Sequence, residues 1–306
     1  MLKAQYQNGN AEIELFHDGS RIISYPDDET LKLNYPLNID IRLSNRCPLG
    51  FNPKTQKATC SFCHESARTD GEFADLSVLQ EILDKQIPPN MAIELAVGVN
   101  EMCPEIRDFF MWANQRGFVI NATVNQLTVS SQRNSTQMVL DLIHQQVISG
   151  LGLSFRSLDH FHKIPSEIIA YPHTVVHVIA GIDNIDEIKA LSKHGVKKIL
   201  VLGEKNFGFN THYFHDESRL KNRQIWLQRI SELFPLFDVI SFDNLGVEQM
   251  QMKRFFKQEA DWNTLYQGEH SFYINAVEQY FSPSSRNSMK IPFYEMTIAD
   301  FFSKYC

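Results

Sequence analysis

Three of the five cysteines fall in the stretch "RLSNRCPLGFNPKTQKATCSFCHES", with twelve residues between Cys47 and Cys60 and two between Cys60 and Cys63. Thiolates at such spacing serve metals. Three thiolates and the neighbouring His64 would close a zinc site. Three alone would hold an iron–sulfur cluster with one iron left open for a ligand. Cys47 has no cysteine or histidine within four residues, whereas zinc modules usually pair closely spaced ligands. Cys47 also follows a strand-like stretch, "PLNIDIRLSNRC", and the carboxyl end of a strand is where a β/α barrel presents its chemistry.

Short apolar runs alternate with segments of helical period, the pattern of βα units around a parallel sheet. Strands are expected at Leu37–Leu43, Ala92–Val97, Val119–Thr123, Gly152–Phe155, Thr174–Ile179 and Lys198–Leu202. Helices are expected at Leu76–Gln86, Pro104–Arg116, Thr136–Gln146 and Ile185–Lys193, with a short link at Pro165–Ala170. Six such units make either a three-quarter barrel or a flat doubly wound sheet. The organisation reads as an N-terminal β-hairpin extension over 1–35 turning at Asp18-Gly19, a barrel over 36–210, and an α+β extension over 211–306. In the last part a helix is expected near Leu220–Leu233, a strand at Val239–Phe242 and a helix near Leu245–Phe256. The alternating "SFYINAVEQYFSPSS" then reads as a terminal strand pair. It would put Tyr273, Asn275 and Val277 on one face and Phe272, Ile274 and Ala276 on the other, serving as a lid over the substrate or as a cap on the sheet edge.

The cysteine loop, strand then cysteine then cysteine-x-aromatic-cysteine, resembles that of the radical S-adenosylmethionine (radical SAM) enzymes. The resemblance covers roughly residues 36–210 and implies a partial (β/α)6 barrel, with a [4Fe-4S] cluster held by Cys47, Cys60 and Cys63. S-adenosylmethionine would complete the fourth iron, and a flavodoxin- or ferredoxin-type reductant would supply electrons. The family's usual first gap is three residues; the extra ones here, "PLGFNPKTQKAT", are turn formers and polar groups able to bulge outward. By the same resemblance Phe62 lies by the adenine, while Gly98 and Asn100 in "AVGVNEMCPE" stand where the family receives the cofactor's amino group. Val99 and Asn100 replace its usual acid and proline. Thr123 and Asn125 after the third strand, and Ser154 and Arg156 on one face of the fourth, offer polar contacts to the cofactor. Arg156 would meet its carboxylate, or else bridge to an acid such as Asp159. Gly181, Leu202 and Gly203 would bring backbone to the purine, with Lys205 and Phe207 just beyond. Cys103 and Cys306 are too few for a conventional second four-cysteine cluster.

Composition fits this reading. The chain has 306 residues, 43% of them hydrophobic, and a net charge of −7 without a long basic run, which argues against unaided nucleic-acid binding. The substrate expected is a small molecule, nucleotide or peptide, with a short RNA left open. No signal peptide or membrane-length apolar run is seen, which places the chain in the cytoplasm. The alternative is a zinc-stabilised interaction protein without catalysis. His160 with His162, and His212 with His215, have metal-like spacing but no third ligand nearby and read as surface pairs.

Overall fold

The computed structural model describes residues 2–17, 19–60, 62–259, 262 and 270–306. The turn residue Asp18 and the loop residue Ser61 lie outside these.

The chain begins with a three-stranded antiparallel sheet, β1 (Leu2–Asn8), β2 (Ala11–Phe16) and β3 (Arg21–Ser24), one strand more than the expected hairpin. The strand β4 (Asn38–Arg42) then leads into β5 (Arg46–Asn52) and β6 (Lys57–Ala58), which pair with each other. Five further strands alternate with helices: β7 (Glu94–Val99), β8 (Val119–Asn125), β9 (Gly150–Ser154), β10 (Thr174–Ile179) and β11 (Lys198–Leu202). After them come β12 (Val239–Phe242), β13 (Ser271–Asn275), β14 (Tyr280–Ser282) and β15 (Ile291–Pro292).

The main sheet runs β12-β11-β10-β9-β8-β7-β4-β13-β14-β15, and every pair from β12 to β13 is parallel. Two-residue periodicity divides it into two faces. Ile39, Ile41, Leu95, Val97, Ile120, Val124, Leu153, Val178 and Val201 are buried on one face and join a single core with the helices. Helix Pro104–Arg116, with proline at its first turn, contributes Ile106, Phe109, Phe110 and Ala113 to it. Each large apolar side chain so buried stabilises the fold by about 1.5–3 kcal/mol. The opposite, inner face is more polar, carrying Asp40, Arg42, Asn121, Thr123, Asn125, Ser154 and His177.

The N-terminal sheet packs at the amino ends of these strands. Lys3 Nζ donates to the Phe118 carbonyl at 2.5 Å, Arg21 pairs with Glu94, and Glu94 Oε1 accepts from Asn121 Nδ2 at 2.6 Å. The amino end is thereby covered, and the loops with candidate chemistry gather at the carboxyl end.

The C-terminal segment forms the expected strand pair, β13 antiparallel to β14, and lies against the edge of the barrel sheet. Its first strand, β13, lies parallel to β4 with Tyr273 opposite Asp40 and Asn275 opposite Arg42, so it forms wall beside the first barrel strand. Tyr273 and Asn275 are both buried, as are Phe272 and Ile274 on the other face. β12 likewise extends the sheet beyond β11. Among the described residues no helix is long and apolar enough to cross a membrane.

Candidate functional site

The cysteine loop follows β4 and is held by the backbone. Ser44 Oγ accepts from Arg46 N at 2.9 Å and donates to Glu72 O at 3.0 Å, fixing the exit from β4. The twelve-residue gap is spanned by the β5–β6 hairpin, with Phe51 opposite Ala58. Thr59 N and Cys60 N both donate to Leu49 O, at 3.1 and 3.3 Å, which returns the chain to within two residues of Cys47. Cys63 N donates to Cys60 O at 3.2 Å, closing the final turn. The turn-forming residues between the first two cysteines thus fold as a hairpin.

All three thiols are half-buried and none is in a disulfide. Burial pushes the Cys60 thiol up to about 11; Arg156 opposes this, while Cys63 and Cys47 add to it. Burial also raises Cys47 and Cys63, and a Cys63 thiolate disfavours one at Cys47. Such mutual repulsion is what a bound cation relieves, because its charge stabilises the thiolates. Among the described residues no three His, Cys, Asp or Glu side chains stand together as a ready metal-ligand group. The donor chemistry fits a three-sulfur centre, and the sulfurs share one loop without forming a coordination shell. His64 is engaged elsewhere: its Nε2 lies 3.0 Å from Glu65 Oε1 and 3.2 Å from Lys205 Nζ, which leaves it poorly placed as a fourth ligand.

The loop is gripped from both sides. Arg42, on β4, places Nε 2.9 Å from Glu65 Oε2 and donates from Nη2 to the Glu65 carbonyl at 2.8 Å. Asn100, after β7, donates to Ser44 O at 3.2 Å. Arg156, after β9, sets its guanidinium 5.2 Å from the centre of the Phe62 ring and donates to Thr59 O at 3.3 Å. Its backbone N–H donates to Gln126 Oε1 at 2.7 Å. Its guanidinium contacts are thus with the cysteine loop, and among the described residues no pairing with Asp159 is seen.

The other expected cofactor contacts divide into two groups. Gly98 lies on the inner face, where an added Cβ would meet no atom within 4 Å, so open space stands before it. Thr123, Gly152 and His177 adjoin one another on that face; a Cβ at Gly152 would come within 2.5 Å of both Thr123 Oγ1 and His177 Cε1. Ser154 pairs in register with His177 and with Asn125. Asn125 also has a structural task, since its Oδ1 accepts from Leu127 N at 2.9 Å as cap of helix Gln126–Ser131. The glycines after the fifth and sixth barrel strands are closely packed on their Cα side. The Cβ position of Gly203 is filled by Leu245, whose Cβ would lie 2.7 Å away, and that of Gly181 by the Arg223 side chain. Leu202, beside Gly203, is half-buried.

Several inner-face residues were not anticipated. Burial drives the His177 imidazole down to about 4, so it is neutral at ordinary pH; its signal in sequence was only its place between Val176 and Val178. Burial raises the Asp40 carboxyl, against the pull of Lys205. Beyond β11, Glu204 is fully buried and lies 3.3 Å from Arg223 Nε, accepting from Asn210 Nδ2 at 3.0 Å. A separate cavity of about 230 Å³ is lined by Leu153, Ile169, Val176 and Val196 and touches none of the cysteine loop.

No protein-family model and no curated protein matches the sequence. Solved structures do. The chain is similar to Streptococcus suis SuiB bound to the precursor peptide SuiA, with a TM-score of 0.58 and 14% identity, over 89% of this chain and 66% of that one. It is similar to SuiB bound to S-adenosylmethionine, with a TM-score of 0.57 and 14% identity over 89% and 67% of the two chains. Native anSMEcpe with bound AdoMet gives 0.51 and 11% over 88% and 82%. The likeness shows a shared α/β fold built on a central, mostly parallel sheet. This chain spans about two thirds of SuiB's length.

Proposed function

We propose that this chain is a radical SAM enzyme. The observation that carries the reading is the return of Cys60 and Cys63 beside Cys47 at the carboxyl end of the first barrel strand, in a fold shared with proteins solved bound to S-adenosylmethionine. Cys47, Cys60 and Cys63 would hold a [4Fe-4S] cluster, which would supply the electron for reductive cleavage of S-adenosylmethionine and so the means to abstract hydrogen from a substrate.

The chain's own residues bind and orient. Gly98 leaves backbone bare to an approaching amino group, and the Asn100 side chain ties that turn to the cysteine loop. Thr123, Ser154 and the free capacity of the Asn125 amide offer neutral hydrogen bonds, and Arg156 offers a cation for the methionyl carboxylate. Phe62, beneath Arg156, presents its ring for the adenine. Gly181, Leu202 and Gly203 would offer backbone groups to the purine, with Arg223 and Leu245 packed against the two glycines. An electron donor of the flavodoxin or ferredoxin type completes the cycle, and the cytoplasm suits such a centre. Among substrate classes a peptide is supported by the precursor peptide bound to SuiB, ahead of a small molecule or nucleotide.

The test is anaerobic reconstitution with iron and sulfide, followed by dithionite and S-adenosylmethionine. The reading expects cluster absorbance and 5′-deoxyadenosine. Stoichiometric zinc with neither would favour the zinc-stabilised interaction protein.

A further inference from the structure

Residues 205–210, which follow β11 after Gly203 and Glu204, run back onto the cysteine loop. β11 and β4 are separated in the sheet by β10, β9, β8 and β7, so this contact crosses the mouth of the open barrel. Phe209 N–H donates to the Cys63 carbonyl at 3.0 Å. Lys205 Nζ reaches His64 Nε2 at 3.2 Å, across 141 positions of sequence. The Phe207 ring meets the His64 ring edge-on at 5.4 Å between centroids, and Phe209 lies 5.8 Å from Phe51 in the β5–β6 hairpin. Gly208 makes the close approach possible. Its φ is +64°, and an added Cβ would overlap the His64 carbonyl oxygen and come within 2.8 Å of the Cys63 carbonyl oxygen. The far end is anchored by the buried Asn210, which donates to Glu204 Oε1 at 3.0 Å and to Lys205 O at 2.9 Å.

We propose that residues 205–210 are a strap that fixes the cysteine loop from across the barrel mouth, with Gly208 and Phe209 as positioning residues for Cys63. The strap holds the backbone of the third cysteine by its carbonyl, and so sets where the Cys63 side chain starts. Partners that orient a metal ligand in this way typically change metal affinity roughly 10–100-fold when lost. This consequence rests on the cluster reading above; the mechanical coupling of strap to loop does not.

The experiment uses the full chain. Gly208→Ala and Phe209→Ala are compared with Gly195→Ala, a control at φ +85° whose Cβ would meet only Ile169 Cγ2 at 4.0 Å. The first readout is amide hydrogen exchange in the metal-free protein. Exchange over residues 62–66 should quicken about tenfold in Gly208→Ala, the scale of one lost backbone hydrogen bond, less in Phe209→Ala, and not at all in Gly195→Ala. The second is iron retention against a chelator after reconstitution, which should fall in the same order. Unchanged exchange over 62–66 in both strap variants overturns the proposal, as does full iron retention in Gly208→Ala. Should Gly208→Ala not fold, Phe209→Ala carries the same two outcomes. Exchange coupling in a wild-type protein that takes up no iron would leave the strap standing and refute the cluster reading instead.

Discussion

Replacing Asp183 with asparagine should remove a loss of stability that the wild-type chain undergoes as the pH rises through neutrality. Asp183 sits at the rim beyond β10, buried, with Oδ2 accepting the Ile179 N–H at 2.6 Å. Burial pushes its carboxyl from 3.8 up to about 7, against the Ile179 hydrogen bond and the charge of Arg156. Because the folded pKa lies above the unfolded one, the folded state holds the extra proton between the two values. The stabilisation is complete below the unfolded pKa and is lost as pH rises through the folded one. At 1.36 kcal/mol per pKa unit the full change is about 4 kcal/mol, of which about 2.5 kcal/mol falls between pH 5 and pH 8. Asparagine keeps the shape and the acceptor for Ile179 but does not ionise. Urea unfolding of the reduced, metal-free protein at those two pH values measures the difference. The wild type should lose about 2.5 kcal/mol more than Asp183→Asn. Equal losses would refute the reasoning, and would mean that the surrounding arginines hold Asp183 ionised in the fold.

Arg156→Ala should weaken S-adenosylmethionine binding by about 1.5–3 kcal/mol while the cluster still loads, the worth of a charge-assisted contact. Calorimetry under anaerobic conditions checks this, and unchanged affinity would reduce Arg156 to its contacts with Phe62 and Thr59. Gly203→Ala should destabilise the fold by about 1–3 kcal/mol, because its Cβ would press on Leu245 in a packed core. Thermal unfolding reads that cost, and a neutral result would show that Leu245 moves aside freely.

The parallel core was legible because its signals are local. Alternation and helical period placed the strands at Thr174–Ile179 and Lys198–Leu202 and the helices Leu76–Gln86 and Pro104–Arg116 where they stand. Thr136–Gln146 was expected too late in the chain, since its helix starts at Arg133 behind the short helix capped by Asn125. The strand Leu2–Asn8 escaped notice because its few inward residues, Tyr6 and Asn8 among them, make a weak apolar pattern. What distant parts of the chain decide was not legible. Alternation marked "SFYIN" as a strand, but its parallel pairing with β4 joins residues far apart in sequence. Gly181 and Gly203 read as glycines after apolar strands, while their packing against Arg223 and Leu245, each about forty residues on, appears only in the fold. Gly208 could be seen as a glycine, while its partner carbonyls at Cys63 and His64 appear only in the fold.

The most direct test of the central claim is the iron and sulfide content of the anaerobically reconstituted protein, measured for the wild type and for single alanine variants at Cys47, Cys60, Cys63, Cys103 and Cys306. The account predicts about four iron and four sulfide per chain in the wild type, as a [4Fe-4S] centre requires. It predicts loss of the centre in each of the first three variants and none in the last two. Full iron in Cys47→Ala, or a wild type that binds zinc and no iron, would contradict it.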